Sequence, residues 1–241
     1  MVKTNKNWGL KTVGATFDLF KWLHIIAGFI ALFIFWVPIV TKKGRKAHRR
    51  SGWVFVYAMT VVSISAFYMG VYRIFFDPVK SPESVAFAWF LIFIAILSGA
   101  CAWYGIRVLR FKRRSERHHV KWDYLFPVLL LVSGVGISIY GFVIDFALLK
   151  YFPILGVFLG STHLIYWISR PKLNMHWMME HIAGMLSCCI ATITAFTVFG
   201  APRLLNVASV SIIIWLLPAI IIVPLLIAFS NYYKRKYNPV R

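Results

Sequence analysis

Three histidines and a glutamate, His163, His176, Glu180 and His181, fall within the single stretch from Ser161 to Met185 of a chain otherwise dominated by apolar residues. Imidazole and carboxylate groups ligate metal ions, hold haem iron axially or carry protons. Inside a membrane span such groups are costly, so each calls for a named partner and a function. His176 and Glu180 are four apart on one helical face, within reach of a shared hydrogen bond or a shared metal ion. His181 is rotated about 140° from His176, so those two bind one ion only if the helix start is distorted. A hydrophobic helix ends near Ser169, a short turn containing Arg170, Pro171 and Lys172 follows, and a second hydrophobic helix begins near His176. His163 and His181 then lie at matching depth, roughly 8 to 9 Å in from the same membrane face at 1.5 Å per residue. Two imidazoles level on neighbouring helices suit axial ligation of one b-type haem, with His163 and His181 as the metal ligands. Proton or ion handling by Glu180 and the imidazoles is the alternative chemistry. The same residues also serve as plain hydrogen-bonding struts between helices.

The elements that position these groups follow from composition. With 60% hydrophobic and 14% charged residues, the chain lies outside the soluble globular class, which carries about 25% charged residues. Seven apolar runs are long enough to cross a hydrocarbon core of about 30 Å as helices. They are expected at about Asp18–Val40, Gly52–Tyr72, Val85–Val108, Tyr124–Ile144, Leu149–Ser169, His176–Phe199 and Val210–Asn231. The expectation is an all-α, polytopic membrane helix bundle forming one domain over residues 1–241. Pro218 and Pro224 should bend the seventh span.

The net charge of +20 resides in short connections between apolar runs, a topology signal that argues against nucleic acid as partner. Nineteen Lys and Arg residues fall on one side of the spans and eight on the other. The positive-inside rule makes the richer side cytoplasmic, with the N-terminus outside and the C-terminus inside. Anionic lipid headgroups are the expected partners of the basic loops. Within those loops His118 and His119 read as solvated, and Arg73 and Asp77, at i,i+4, as an interfacial ion pair. Cys101, Cys188 and Cys189 fall in apolar spans and form neither a disulfide framework nor a metal motif.

Orientation within the bundle is legible in small residues. Gly156 and Gly160 form a G-x-x-x-G on the fifth span, and His163 follows on a neighbouring part of that surface, facing protein. On the sixth span His181, Gly184, Cys188 and Thr192 make a small and polar stripe that belongs against another helix. His24, on the first span, enters from the opposite face and lies too far away to share an ion with His163 and His181.

At HIIAG (24–28), AHRRSGWVFVYAM (47–59) and HWMMEHIAGMLS (176–187) the chain resembles an uncharacterised family of bacterial multi-pass membrane proteins, with a histidine in the first helix and an H-R-x-x-G motif opening the second. His24, His48 and Gly52 match those motifs. The resemblance implies a bacterial cytoplasmic-membrane protein and supplies no activity. His48, at the cytoplasmic end of the second span, joins His163, His176, Glu180, His181 and, on the first span, His24 as a candidate cofactor-binding residue. The chain is also loosely similar to b561-type membrane cytochromes, whose histidines on neighbouring helices hold haem. It departs from them on the outer side, where His24 has no histidine partner at its depth, so one haem at most is implied.

Overall fold

Apolar runs of this length leave the backbone one way to satisfy its own hydrogen bonds in lipid, the helix, and the computed structural model is helical with no strand among the described residues. It describes residues 3–205 and 212–239, with side chains from Gly14 onward apart from those of 212–216 and 219. The helices are α1 (Lys3–Ile34), α2 (Trp36–Val40), α3 (Lys46–Phe75), α4 (Pro82–Arg107), α5 (Leu125–Val143), α6 (Ala147–Tyr151), α7 (Pro153–Ile168), α8 (His176–Ala195), α9 (Ala201–Leu205) and α10 (Ile212–Tyr237). Six stretches among the described residues are long and apolar enough to cross a membrane: Gly14–Val40, Lys46–Phe75, Pro82–Phe111, Lys121–Val143, Ala147–Ile168 and His176–Leu205. These coincide with the first six expected spans. The seventh expected span starts at Val210, outside the described residues; from Ile212 onward α10 covers it, with Pro218 and Pro224 inside the helix.

Local chemistry sets the breaks. Gly44 takes a positive φ of 78° in the turn between α2 and α3, a conformation that glycine adopts without a Cβ clash. Pro82 occupies the first turn of α4, where its missing N–H costs nothing. Ahead of it Ser81 and Ser84 cap each other: the Ser84 N–H donates to Ser81 Oγ at 3.1 Å and the Ser81 N–H to Ser84 Oγ at 3.0 Å.

The chain divides into two compact units, residues 1–96 with 136–153, and residues 97–135 with 154–241. In the first, α1 packs along α3 through Phe20 stacked on Tyr68 (4.0 Å) and a 2.7 Å bond between the Thr16 and Tyr68 hydroxyls. Arg73 and Asp77 do not form the expected ion pair. The Arg73 guanidinium lies 5.8 Å from the Phe17 ring, and Asp77 instead accepts the Val79 N–H, because the helix ends at Phe75 and the turn's own donor is nearer.

In the second unit α4 and α8 touch backbone to backbone. A Cβ on Gly184 would lie 2.9 Å from Gly105 Cα and 3.1 Å from the Cys101 carbonyl, so the crossing requires glycine. The stripe His181, Gly184, Cys188 faces α4, with Cys188 Sγ 3.8 Å from the Ser98 carbonyl. Gly160 on α7 packs against Leu131 and the Pro127 carbonyl of α5.

Candidate functional site

The close α4–α8 crossing places Tyr104, next to Gly105, at the centre of the second unit. Tyr104 is 1% exposed and packs with Val108 and Trp167. A buried phenol needs a partner for its O–H, and Tyr104 donates to Glu180 Oε2 at 2.5 Å. The ring of Tyr104 stacks on that of His163, with centroids 3.7 Å apart and planes 17° apart. His163 is 3% exposed, and its Nδ1 is buried without a hydrogen-bond partner.

His181 is anchored on the neighbouring residue of α4. Its Nδ1 lies 2.6 Å from the Gly105 carbonyl. A carbonyl only accepts, so His181 carries its hydrogen on Nδ1. His163 thus meets the side chain, and His181 the backbone, of consecutive residues of α4.

The third group comes from the basic loop. Arg114 donates to the carbonyls of Tyr166 (2.8 Å), Ser169 (2.9 Å) and Trp167 (3.4 Å), closing the C-terminal end of α7 with a cation where the helix dipole is negative. Its guanidinium also lies 4.4 Å over the Tyr166 ring. His176, the first residue of α8, bridges α7 and this loop: Tyr166 Oη is 2.8 Å from its Nδ1, and the Arg114 carbonyl 3.1 Å from its Nε2. His176 and Glu180 therefore use separate partners and do not bond each other. Met175, just before α8, takes a positive φ of 56°, an uncommon conformation for a side-chain-bearing residue. Asn174 is tied to the chain's tail: its N–H donates to Asn238 Oδ1 at 2.8 Å, and Asn238 Nδ2 donates back to the Asn174 carbonyl at 3.2 Å.

His118 is not a solvated loop residue. It is buried, and Asp123, 2% exposed, joins it at 2.5 Å while accepting from Arg107 Nε at 2.6 Å. A buried carboxylate needs cationic or hydrogen-bonding partners, and His118 and Arg107 fill that role here. Desolvation holds the His118 imidazole below its ordinary pKa, with the Asp123 carboxylate pulling the other way.

His24 and His48 belong to the first unit. His24 Nδ1 lies 3.0 Å from Ser65 Oγ and 3.2 Å from the Val62 carbonyl. His48 Nδ1 lies 3.0 Å from the Pro38 carbonyl, which also accepts from Lys43 Nζ at 2.8 Å. The H-R-x-x-G histidine and Lys43 thus hold the carbonyl end of α2. Along α3, His48 is some 20 Å from the level of His24 at 1.5 Å per residue. Among the described residues no group of three or more His, Cys, Asp or Glu side chains is placed to hold a metal ion.

Among the described residues the chain is all-helical, with six stretches long and apolar enough to cross a membrane and a buried polar site, the features of a multi-pass membrane protein. Residues 21–102, roughly a third of the chain, match the family described as "Predicted membrane protein (DUF2306)". The matched segment contains His24, His48 and Gly52, so the resemblance to an uncharacterised multi-pass family holds there. No curated protein and no solved structure matches the chain.

Sequence reasoning missed Tyr104, Tyr166, Arg114 and the His118–Asp123–Arg107 group. Tyr104 carried a readable signal, a phenol deep in an apolar span that must find an acceptor. Arg114 carried none, being one of several arginines in its loop.

Proposed function

We propose that the second unit houses the proton-binding site of a small proton-coupled membrane carrier, in which Glu180 takes and releases the proton and Tyr104 positions it. The carrying observation is the 2.5 Å bond from Tyr104 to Glu180 between two membrane-crossing helices. Among the described residues no Lys, Arg or His forms an ion pair with Glu180. The Arg114 guanidinium directs its bonded N–H groups to carbonyls. A carboxyl group at membrane depth without a bonded cation is the kind of group that proton relays and carriers use. The phenol hydrogen fixes one carboxyl oxygen and leaves the other to exchange.

A b-type haem held by His163 and His181 is the less supported reading. The face of the His163 ring is occupied by Tyr104, and the next residue of α4 holds His181, so α4 side chain and backbone fill the ground a shared porphyrin would need. The residues present fit that group poorly, and two imidazoles alone make an incomplete site for a bare metal ion.

In this reading the protein resides in the cytoplasmic membrane of a bacterium, its basic loops facing the cytoplasm against anionic headgroups, supported by the uneven placement of Lys and Arg. The test is proton movement in proteoliposomes of the full chain after an imposed pH step. Wild-type protein should speed equilibration over protein-free vesicles, and Glu180→Gln should return it to the vesicle background. Equal rates for wild type and Glu180→Gln would remove the proposal.

A further inference from the structure

Proton traffic at Glu180 needs a route to water, and the loop end of α8 supplies the side chains for one. His176 lies one helical turn before Glu180 on the same face, about 6 Å along the axis. Its ring is held at both nitrogens by partners of opposite character. The Arg114 carbonyl at Nε2 can only accept, so the ring hydrogen sits on Nε2. Nδ1 is then the bare base, and it receives the Tyr166 hydroxyl at 2.8 Å. Tyr166 presents its ring edge-on to Tyr104, 5.8 Å between centroids, and Tyr104 is bonded to Glu180. A strut between helices needs one such bond. A basic nitrogen facing a hydroxyl, on a ring oriented by its other nitrogen, is also the arrangement for handing protons on.

We propose that Tyr166 and His176 form the doorway through which protons pass between Glu180 and the water at the basic-loop face. The proposal rests on the reading of Glu180 as the proton site. A proton leaving Glu180 is taken by the Tyr166 hydroxyl, with a water molecule closing the gap, while that hydroxyl gives its own hydrogen to His176 Nδ1. The imidazolium then releases its Nε2 proton to water at the loop face, leaving on Nδ1 the hydrogen received from Tyr166, and exchange with water returns the ring to the Nε2–H tautomer. One proton has moved from carboxyl to solvent, Tyr166 is restored, and no electron has changed place. The groups facing this path are Arg114 from the loop, whose guanidinium lies over Tyr166, Tyr104 from α4, Tyr166 from α7 and Glu180 from α8 itself. Lys112 stands over Trp177 beside His176, 4.7 Å from the ring. The Arg114 guanidinium, over Tyr166, opposes a lasting charge on His176 and favours rapid release.

The experiment is a pH jump on the detergent-purified full chain, followed by the infrared carbonyl band of protonated carboxyl groups. Glu180→Gln identifies the band belonging to Glu180. In His176→Gln and Tyr166→Phe that band should keep its midpoint while rising at least about tenfold more slowly near pH 6, the scale of losing a positioned acid-base group. Tyr166→Phe keeps the ring packing and decides the matter if His176→Gln fails to fold. Wild-type speed in Tyr166→Phe would overturn the doorway while leaving Glu180 as the proton site. Absence of any band sensitive to Glu180→Gln would overturn the reading of Glu180 and the doorway with it.

Discussion

Tyr104→Phe removes one oxygen from the centre of the second unit and leaves the ring that packs on His163, Tyr166 and Trp167 in place. What is lost is the bond to Glu180 at 2.5 Å. A hydrogen bond to a charged group contributes about 1.5–3 kcal/mol, and one to a neutral group about 1 kcal/mol. The loss in stability should therefore be about 2 kcal/mol at a pH where Glu180 is ionised and about half that where it is protonated. The assay is reversible unfolding in mixed micelles at two pH values, for Tyr104→Phe, Glu180→Gln and the double variant. Because the two groups are in direct contact, the cycle should return a coupling of about 1–3 kcal/mol. A coupling below about 0.5 kcal/mol at both pH values, the level of independent sites, would refute the reasoning.

Gly184→Ala should cost about 1–3 kcal/mol, because its methyl meets the Gly105 backbone, which cannot step aside. Gly136→Ala, whose methyl meets nothing within 4 Å, should be neutral or mildly stabilising; thermal unfolding of the two purified variants checks the contrast. His118, held below its ordinary pKa of 6.5 when folded, binds fewer protons in the native state than in the unfolded one. Stability should therefore fall as pH drops below about 6.5, and His118→Gln, which keeps a donor for Asp123, should flatten that part of the melting-temperature curve. An unchanged slope in His118→Gln would assign the pH dependence to other groups.

The spans were legible because a helix that must satisfy its backbone in lipid advertises its length in apolar residues, and six of the seven can be followed among the described residues. The inward facing of His163 was legible from Gly156 and Gly160, and the α8 stripe from Gly184 and Cys188, because small residues mark where backbones approach. The pairings were not. His176 and Glu180 look like partners at four-residue spacing, yet Tyr166 and Tyr104 compete for them from other helices, and sequence spacing carries no information about which tyrosines arrive there. His118 looked solvated beside so many arginines. Its burial depends on Asp123 and Arg107 meeting it in three dimensions, a charge balance that a one-dimensional count of basic residues conceals.

The reciprocal bonds between Asn174 and Asn238 leash the last helix to the hairpin that carries His176. A force applied to α10 therefore arrives two residues away from an imidazole of the proposed path.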